Sequence, residues 1–257
     1  MRTPIVPLLL SAALAFAIAG CNQHANAPAS SASSKAAAPP VDEATSGTIS
    51  GVVKFSGSAP KAVKIDMGLD PACNMSPEPN YSEQVAANRG KLANVYVYIK
   101  SGLAAHSYPA PAMPATITQK GCRYVPHVLA ARTGQNIRIV NDDPAMHNIH
   151  PAPNAPGNHE WNVSQPPKGE PIERSFNAPE VMMPVKCNQH PWMKMYLNLD
   201  DNPYFAVTGG NGGFSIANVP PGDYVVAAVQ EKLGEKDINV HVAAKQTQDV
   251  SFEYKGQ

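Results

Sequence analysis

Three side chains of kinds that bind metal ions lie within one run of seven residues, from Cys187 to Met193. Cys187 offers a thiolate, His190 an imidazole and Met193 a thioether. Calcium and magnesium prefer carboxylate and carbonyl oxygens, whereas soft and borderline donors of this set suit copper. Copper is therefore the first metal to consider for this segment.

The elements around this run decide whether its side chains can meet. If residues 181–187 form a strand and residues 196–199 begin the next one, the residues between them form a tight loop. A fourth ligand must come from another segment. His147 is the best donor, because it follows the alternating strand pattern of residues 135–140. Two histidines, one cysteine and a weak axial methionine make the trigonal site of blue-copper proteins.

At these residues the chain resembles the cupredoxins, and most closely those of the amicyanin and plastocyanin type. The resemblance rests on the pair His147-Asn148 and, roughly forty residues later, on Cys-x-x-His-Pro-aromatic-Met from Cys187 onward. It covers about residues 115–200 and implies a Greek-key β-sandwich with one type 1 copper ion. The ligands that it implies are His147, Cys187, His190 and Met193.

The resemblance also assigns roles to neighbours of these ligands. Asn148 would tie the two ligand segments together through its side chain. Met195 matches a longer ligand loop and is the alternative axial ligand. Pro184 departs from the pattern, because a proline removes a ladder hydrogen bond and is expected to interrupt the strand before Cys187.

In cupredoxins the imidazole edge of the second histidine reaches the surface within an apolar patch. In this chain that edge would belong to His190, and Pro191 and Trp192 would form its rim. The resemblance thus implies a one-electron carrier whose redox partner, such as a c-type cytochrome or an oxidase, docks there. Small docking faces suit transient redox encounters.

Other uses of the Cys-x-x-His segment stay open at this point. The pattern is short, and Cys21 to His24 repeats it in an unrelated place. A structural zinc site needs a second close pair of Cys or His, and a c-type haem needs Cys-x-x-Cys-His; neither is evident. A catalytic cysteine would need a histidine nearby in the fold. The cysteine could also be buried and inert, with the histidine beside it by chance.

Composition and charge exclude several classes of function. The 257 residues are 43% hydrophobic, which is enough for one or two cores. Lys and Arg number 20 and balance 20 Asp and Glu, so no charge excess points to nucleic acid. Because no catalytic motif is evident either, we expect a protein that is not an enzyme.

The N-terminal residues have the pattern of an export signal. Arg2 precedes an apolar run, and small residues lead to Cys21 as in the lipobox of bacterial lipoproteins. We expect residues 1–20 to be removed and Cys21 to be acylated, with an ordinary signal peptide as the alternative. Residues 21–46 are rich in Ala, Ser and Pro and would form a flexible tether. The protein would then lie in the cell envelope, held to the membrane only by its lipid.

The four cysteines divide by role once these assignments are made. Cys21 is taken by lipid and Cys187 by the metal, which leaves Cys73 and Cys122 in an oxidising compartment. We predict a disulfide between them, which is worth about 4 kcal/mol in the chain-entropy model. Two separate reduced cysteines are the alternative.

The segments on either side of residues 115–200 resemble the carboxypeptidase regulatory-like domain, a small transthyretin-like β-sandwich. A strand pattern at 49–55 and a succession of turns and strands at 208–229 carry this resemblance. The predicted fold is all-β, with the cupredoxin-like sandwich inserted in, or adjacent to, a small sandwich formed by 47–101 and 203–255. Two sandwiches in series are the alternative.

Three functions of different classes follow from these expectations. An electron carrier would hold one strongly coloured, reversible copper ion. A copper chaperone or storage protein would hold Cu(I) that can be transferred. A metal-free interaction module of the cell envelope would hold no stoichiometric metal. The single Cys, His and Met ligand set favours the electron carrier.

Overall fold

The computed structural model describes residues 35–74 and 79–256. In these ranges the chain forms twenty β-strands and one short α-helix, which confirms the predicted all-β fold class. Within the same ranges, no helix is long and apolar enough to span a membrane. The expected signal peptide at 1–20, the lipidated Cys21 and the first part of the predicted tether lie outside the described residues.

Strands separated by short turns follow one another along the described chain. The first are β1 (Ala36–Ala37), β2 (Gly47–Ser56), β3 (Ala87–Asn88), β4 (Lys91–Leu92), β5 (Tyr96–Ser101) and β6 (His106–Ser107), with helix α1 (Pro71–Asn74) between β2 and β3. The next are β7 (Ala115–Gln119), β8 (Tyr124–Val125), β9 (Val128–Arg132), β10 (Ile137–Asn141), β11 (His147–Pro151), β12 (Val163–Gln165), β13 (Ile172–Arg174), β14 (Glu180–Lys186) and β15 (Lys194–Asp200). The last are β16 (Phe205–Val207), β17 (Gly213–Val219), β18 (Gly222–Gln230), β19 (Gly234–Val242) and β20 (Thr247–Lys255). β1, within the predicted tether, pairs in parallel with β6.

Two sheets enclose a first hydrophobic core. One has the strand order β16-β5-β18-β19, and the other has the order β17-β2-β4-β3 with β20 parallel to β2. Apolar side chains that alternate along these strands fill the space between the sheets, among them Ile49, Val97 and Val226. Their burial follows from the two-residue period of a strand, which sends every second side chain to the same face.

Two further sheets enclose a second core, which carries the candidate metal ligands. Their strand orders are β13-β10-β7-β8 and β12-β11-β14-β15-β9. β14 is antiparallel to both of its neighbours, β11 and β15; Lys186, its last residue, lies opposite His150, so the chain that continues from β14 runs toward the start of β11. The buried side chains include Ile117, Ile139 and Leu197.

The chain contributes to the two cores in an interleaved order. Residues of the first core come from positions 49–99 and 204–254. Those of the second core come from 117–199 together with Met67 and Cys73. These two residues lie in a stretch that the sequence assigns to the smaller sandwich, yet they pack on the other core. The described residues belong to one compact unit.

Residues 64–74, which we call the cover segment, leave the first core and lie on the second. At its start Lys64 pairs with Tyr81 in an isolated β-bridge. At its end is the single turn of α1, which Asp70 caps: its Oδ1 accepts a hydrogen bond from the backbone N–H of Ala72 at 2.8 Å. The other oxygen of the Asp70 carboxylate is thereby left for a different partner.

A disulfide joins the cover segment to the second core. Cys73 of α1 is bonded to Cys122, which lies between β7 and β8, with a Cα–Cα distance of 5.6 Å. Both sulfurs are buried among the apolar residues of the second core. Cys187 is a free, buried thiol.

The expectation that Pro184 interrupts the strand before Cys187 was wrong. β14 runs from Glu180 to Lys186; its register with β15 shifts between Glu180 and Met183, before the proline, and Pro184 itself lies opposite Tyr196 of β15. The carbonyl of Pro184 still accepts a hydrogen bond from the backbone N–H of Ala152 at 2.9 Å. Because the φ angle that proline imposes is compatible with an extended chain, the strand continues to its end.

Candidate metal centre

The ends of two neighbouring strands bring the predicted ligands together. His147 is the first residue of β11, and Cys187 directly follows β14. Because β11 and β14 are antiparallel neighbours, these two residues meet at the same edge of the sheet. The loop from Cys187 to β15 is tight, with backbone hydrogen bonds from Cys187 to Met193 and from Met193 to His190. It therefore folds His190 back toward His147.

Three of the four predicted ligands converge in the structure. The Nδ1 atoms of His147 and His190 are 2.9 Å apart, and the Cys187 sulfur is 3.7 Å from Nδ1 of His190. The donor atoms of all three residues lie within 4.8 Å of one another. All three side chains are buried. The arrangement is a compact donor set of one sulfur and two nitrogens.

The outer nitrogen of each imidazole is held by a carboxylate. Nε2 of His147 is 2.8 Å from Oδ2 of Asp143, and Nε2 of His190 is 3.0 Å from Oδ2 of Asp70. An ionised carboxylate can only accept, so each Nε2–H is the donor, and a ring that is neutral presents the lone pair of its Nδ1. Two such lone pairs that face each other repel unless a proton or a metal ion lies between them. The pair therefore fits a metal ion bound at both Nδ1 atoms.

The charges at this site lower the pKa of Cys187 and raise the pKa of His147, so a metal ion would meet a thiolate but would compete with a proton for His147. Burial by itself would raise the pKa of Cys187, but hydrogen bonds from His147 and from the backbone N–H of Asn148 help to lower it to about 6. The thiolate, which is the form that binds metals, is thus accessible at neutral pH. Burial would lower the pKa of His147, but its bonds to Asp143 and Cys187 raise it overall.

Both candidate axial ligands are buried in the second core. Met193 closes the ligand loop through its backbone N–H, which donates to the carbonyl of His190 at 2.9 Å. Met195 lies within β15, opposite Val185 of β14. Met193 therefore belongs to the loop that carries Cys187 and His190, whereas Met195 belongs to the sheet. Met193 stays the candidate axial ligand, with Met195 as the alternative.

Asn148 links the ligand segments through its main chain and not through its side chain, which corrects the expectation. Its backbone N–H donates to the Cys187 sulfur at 3.2 Å. Its side-chain Nδ2 donates instead to Asn162 and to Ser164 of β12, at 3.1 and 3.0 Å. The position of Asn148 in β11 already places its backbone N–H at the Cys187 sulfur. Its side chain is therefore free to bind the neighbouring strand, β12.

The expectation that the edge of His190 reaches the surface was also wrong. Its side chain is only 2% exposed, because Asp70 and Cys73 of the cover segment lie against its Nε2. Trp192 is half-buried, with its ring centroid 5.0 Å from that of His190, and its Nε1 donates to the carbonyl of Cys122 at 3.1 Å. Pro191 is exposed. Of the predicted docking residues, only Pro191 is fully presented to solvent.

Sequence reasoning missed the two carboxylates that hold the histidines. Asp143 lies four residues before His147, and its carboxylate also accepts the backbone N–H groups of Gly121 and Cys122 at 2.6 and 2.8 Å. Asp70 lies three residues before Cys73, so its position near the site depends on the disulfide. Neither residue forms a recognisable motif with its histidine.

Comparisons with protein-family models and with curated proteins gave no match. Several solved structures resemble part of the chain. A copper-containing nitrite reductase from Thermus scotoductus SA-01 is 20% identical with a TM-score of 0.32, and the match covers 40% of this chain and 26% of that one. A purple cupredoxin from Nitrosopumilus maritimus is 21% identical with a TM-score of 0.28, over 34% of this chain and 99% of that one. Amicyanin from Paracoccus versutus is 17% identical with a TM-score of 0.31, over 40% and 97%. The chain thus spans about a quarter of the nitrite reductase.

Proposed function

We propose that this protein binds one copper ion through His147, Cys187 and His190 and acts as a one-electron carrier. The observation that carries this proposal is the convergence of two Nδ1 atoms and one thiol sulfur in a buried site. Imidazole and thiolate donors together suit copper, and hard cations prefer oxygen. The thioether of Met193 is the proposed axial ligand of a type 1 centre.

Zinc is a weaker candidate for the same donors. A structural zinc ion usually has four Cys or His ligands. Within the described ranges, the cluster around Cys187 contains three such residues. Cys73 and Cys122 lie beside the two histidines, but their sulfurs are joined in a disulfide and offer no thiolate. A site with one thiolate, two imidazoles and the thioether of Met193 suits copper better than zinc.

The residues around the ligands suit electron transfer, because they hold the donors in one arrangement. Copper, when bound, would supply the one-electron redox chemistry. Asp143 orients His147, and the Asn148 N–H fixes the Cys187 sulfur. Burial of all three donors excludes water from the site. Ligands that cannot rearrange keep the same geometry in both oxidation states, so little reorganisation accompanies the transfer.

Burial also weighs against the copper chaperone or storage alternative. Transfer of Cu(I) between proteins requires that an incoming ligand reach the metal. Here His147 and His190 are buried, and the outer nitrogen of each is occupied by a carboxylate. An exposed methionine, Met146, precedes His147, but its two chain neighbours, Ala145 and His147, are buried. The geometry supports retention of the ion.

The cellular setting is part of the same proposal. A disulfide between Cys73 and Cys122 suits an oxidising compartment such as the bacterial periplasm. We propose that the protein lies in the cell envelope, anchored through a lipid on Cys21, with no nucleic-acid partner and no enzymatic activity of its own. Its redox partner would be a c-type cytochrome or an oxidase that docks near Pro191 and Trp192.

The proposal is tested by copper content and visible absorption of the soluble fragment from residue 24 onward, loaded with Cu(II). We expect one copper per chain and an intense thiolate-to-copper band that Cys187→Ser abolishes. Cys73→Ser combined with Cys122→Ser should keep the band wherever it folds without its disulfide, because Cys187 stays in place. A colourless protein, or a band that survives Cys187→Ser, would contradict the proposal.

A further inference from the structure

The outer edge of His190 is enclosed by a segment that is distant in sequence. Asp70 is 120 residues from His190, and its Oδ2 is 3.0 Å from Nε2. The Cys73 sulfur is 3.7 Å from the same nitrogen. Trp192 packs against the ring from its own loop. These contacts leave the imidazole 2% exposed.

The cover segment is held in place at several points. Met67 is buried in the second core, and Cys73 is bonded to Cys122. Asn80, just beyond the segment, donates through Nδ2 to the carbonyl of Gly121 at 2.6 Å and contacts the Met67 sulfur. Cys73 within the segment and Asn80 beyond it are therefore both attached to the turn that contains Cys122. The Asp70 carboxylate is thereby fixed over His190.

We propose that Asp70 is a positioning residue for His190 and that the disulfide-bound cover segment closes the outer edge of this imidazole to solvent and small ligands. The carboxylate holds Nε2–H, so the ring cannot rotate and Nδ1 stays directed toward His147 and Cys187. The effect of Asp70 on a bound metal rests on the proposed copper function. The closure of the edge does not, because it is a property of the polypeptide alone.

Two consequences of the carboxylate can be measured. A carboxylate that accepts the second N–H of a ligating histidine strengthens the ring as a donor, and loss of such partners typically weakens metal affinity about 10- to 100-fold. Its negative charge also stabilises the more highly charged Cu(II) state relative to Cu(I). Asp70→Asn is therefore expected to weaken Cu(II) binding in that range and to shift the reduction potential upward.

The closure is tested first in the metal-free protein. Diethylpyrocarbonate labelling of His190, read by peptide mass spectrometry, is compared with that of His159, which is exposed. We expect His190 to label far more slowly than His159 in the wild type. It should label faster in Asp70→Asn, and faster still in Cys73→Ser combined with Cys122→Ser.

Asp66→Asn is the matched control, because Asp66 is an exposed carboxylate of the same segment that caps the N–H of Gly68. It should label as the wild type does. Equal labelling of His190 and His159 in the wild type, or one rate for His190 in all four proteins, would overturn the closure.

The positioning role is tested next with copper. Cu(II) affinity and reduction potential are measured for the wild type, Asp70→Asn and Asp66→Asn. The proposal expects weaker binding and a higher potential in Asp70→Asn alone. A normal thiolate band with unchanged affinity and potential in that variant would refute Asp70 as a positioning residue. If the wild type itself forms no thiolate band, the proposed copper function fails, and the labelling result still decides the closure.

Discussion

Replacement of Asp143 by alanine should be among the most damaging changes near the metal centre. The Asp143 carboxylate accepts three hydrogen bonds, from Nε2 of His147 at 2.8 Å and from the backbone N–H groups of Gly121 and Cys122 at 2.6 and 2.8 Å. The carboxylate is buried. Asp143→Ala would therefore leave two buried donors, from His147 and Cys122, and one partly buried donor, from Gly121, without partners.

The size of the effect follows from these donors. Each buried donor left without a partner destabilises the fold by about 1 to 3 kcal/mol, so the two buried donors together predict a loss of at least about 2 kcal/mol. The assay is urea unfolding of the metal-free soluble fragment, in which copper cannot contribute. Asp143→Asn keeps one acceptor oxygen and should lose less than Asp143→Ala.

Asp142→Ala is the matched control, because Asp142 is the exposed carboxylate next in sequence. It should change the free energy of unfolding by less than about 0.5 kcal/mol, as surface substitutions usually do. A loss below about 1 kcal/mol for Asp143→Ala, or equal losses for the two variants, would refute the assignment of Asp143 as the buried acceptor.

Three further predictions follow from the same contacts. Cys73→Ser combined with Cys122→Ser should lower the free energy of unfolding by about 4 kcal/mol, because the disulfide closes a loop with a sequence separation of 49; urea unfolding that matches the wild type would contradict this. His190→Gly should regain little copper absorption on addition of imidazole while the disulfide is intact, and more when both cysteines are also replaced. Equal recovery in the two backgrounds would show that the cover segment does not restrict access. Trp192→Phe should lower stability by about 1 kcal/mol through loss of the hydrogen bond to Cys122, with the thiolate band retained; a lost band would make Trp192 part of the metal site.

Local sequence patterns were sufficient where neighbouring residues decide the structure. The supposition that residues 181–187 form a strand holds, because β14 covers nearly all of them. Because a short loop follows, Cys187 and His190 had to lie close together. His147 could be added because it directly follows a strand pattern. These three residues do meet in the structure.

Contacts between distant segments could not be predicted in this way. No periodicity connects Asp70 with His190, and the exposed histidine edge of the cupredoxin resemblance fails here because the cover segment lies over it. The path of that segment depends on the burial of Met67 and Cys73 in the second core. The sequence alone shows that these residues are apolar. It does not show which of the two cores they enter.

The same limit explains the error at Asn148. The resemblance assigned a role to its side chain, but the bond to Cys187 comes from the backbone N–H. A backbone donor is available at every residue except proline, so residue type carries no signal for such a contact. Only the pairing of β11 with β14 reveals it.

X-ray absorption spectroscopy at the copper edge would test the central claim most directly. Spectra are recorded for the oxidised and the reduced protein, and for Cys187→Ser. We predict one sulfur at a short distance from the copper and two imidazole nitrogens around a single copper ion, with the same ligands in both oxidation states. A site made mainly of oxygen ligands, or a ligand set that changes on reduction, would contradict a rigid copper centre built from His147, Cys187 and His190.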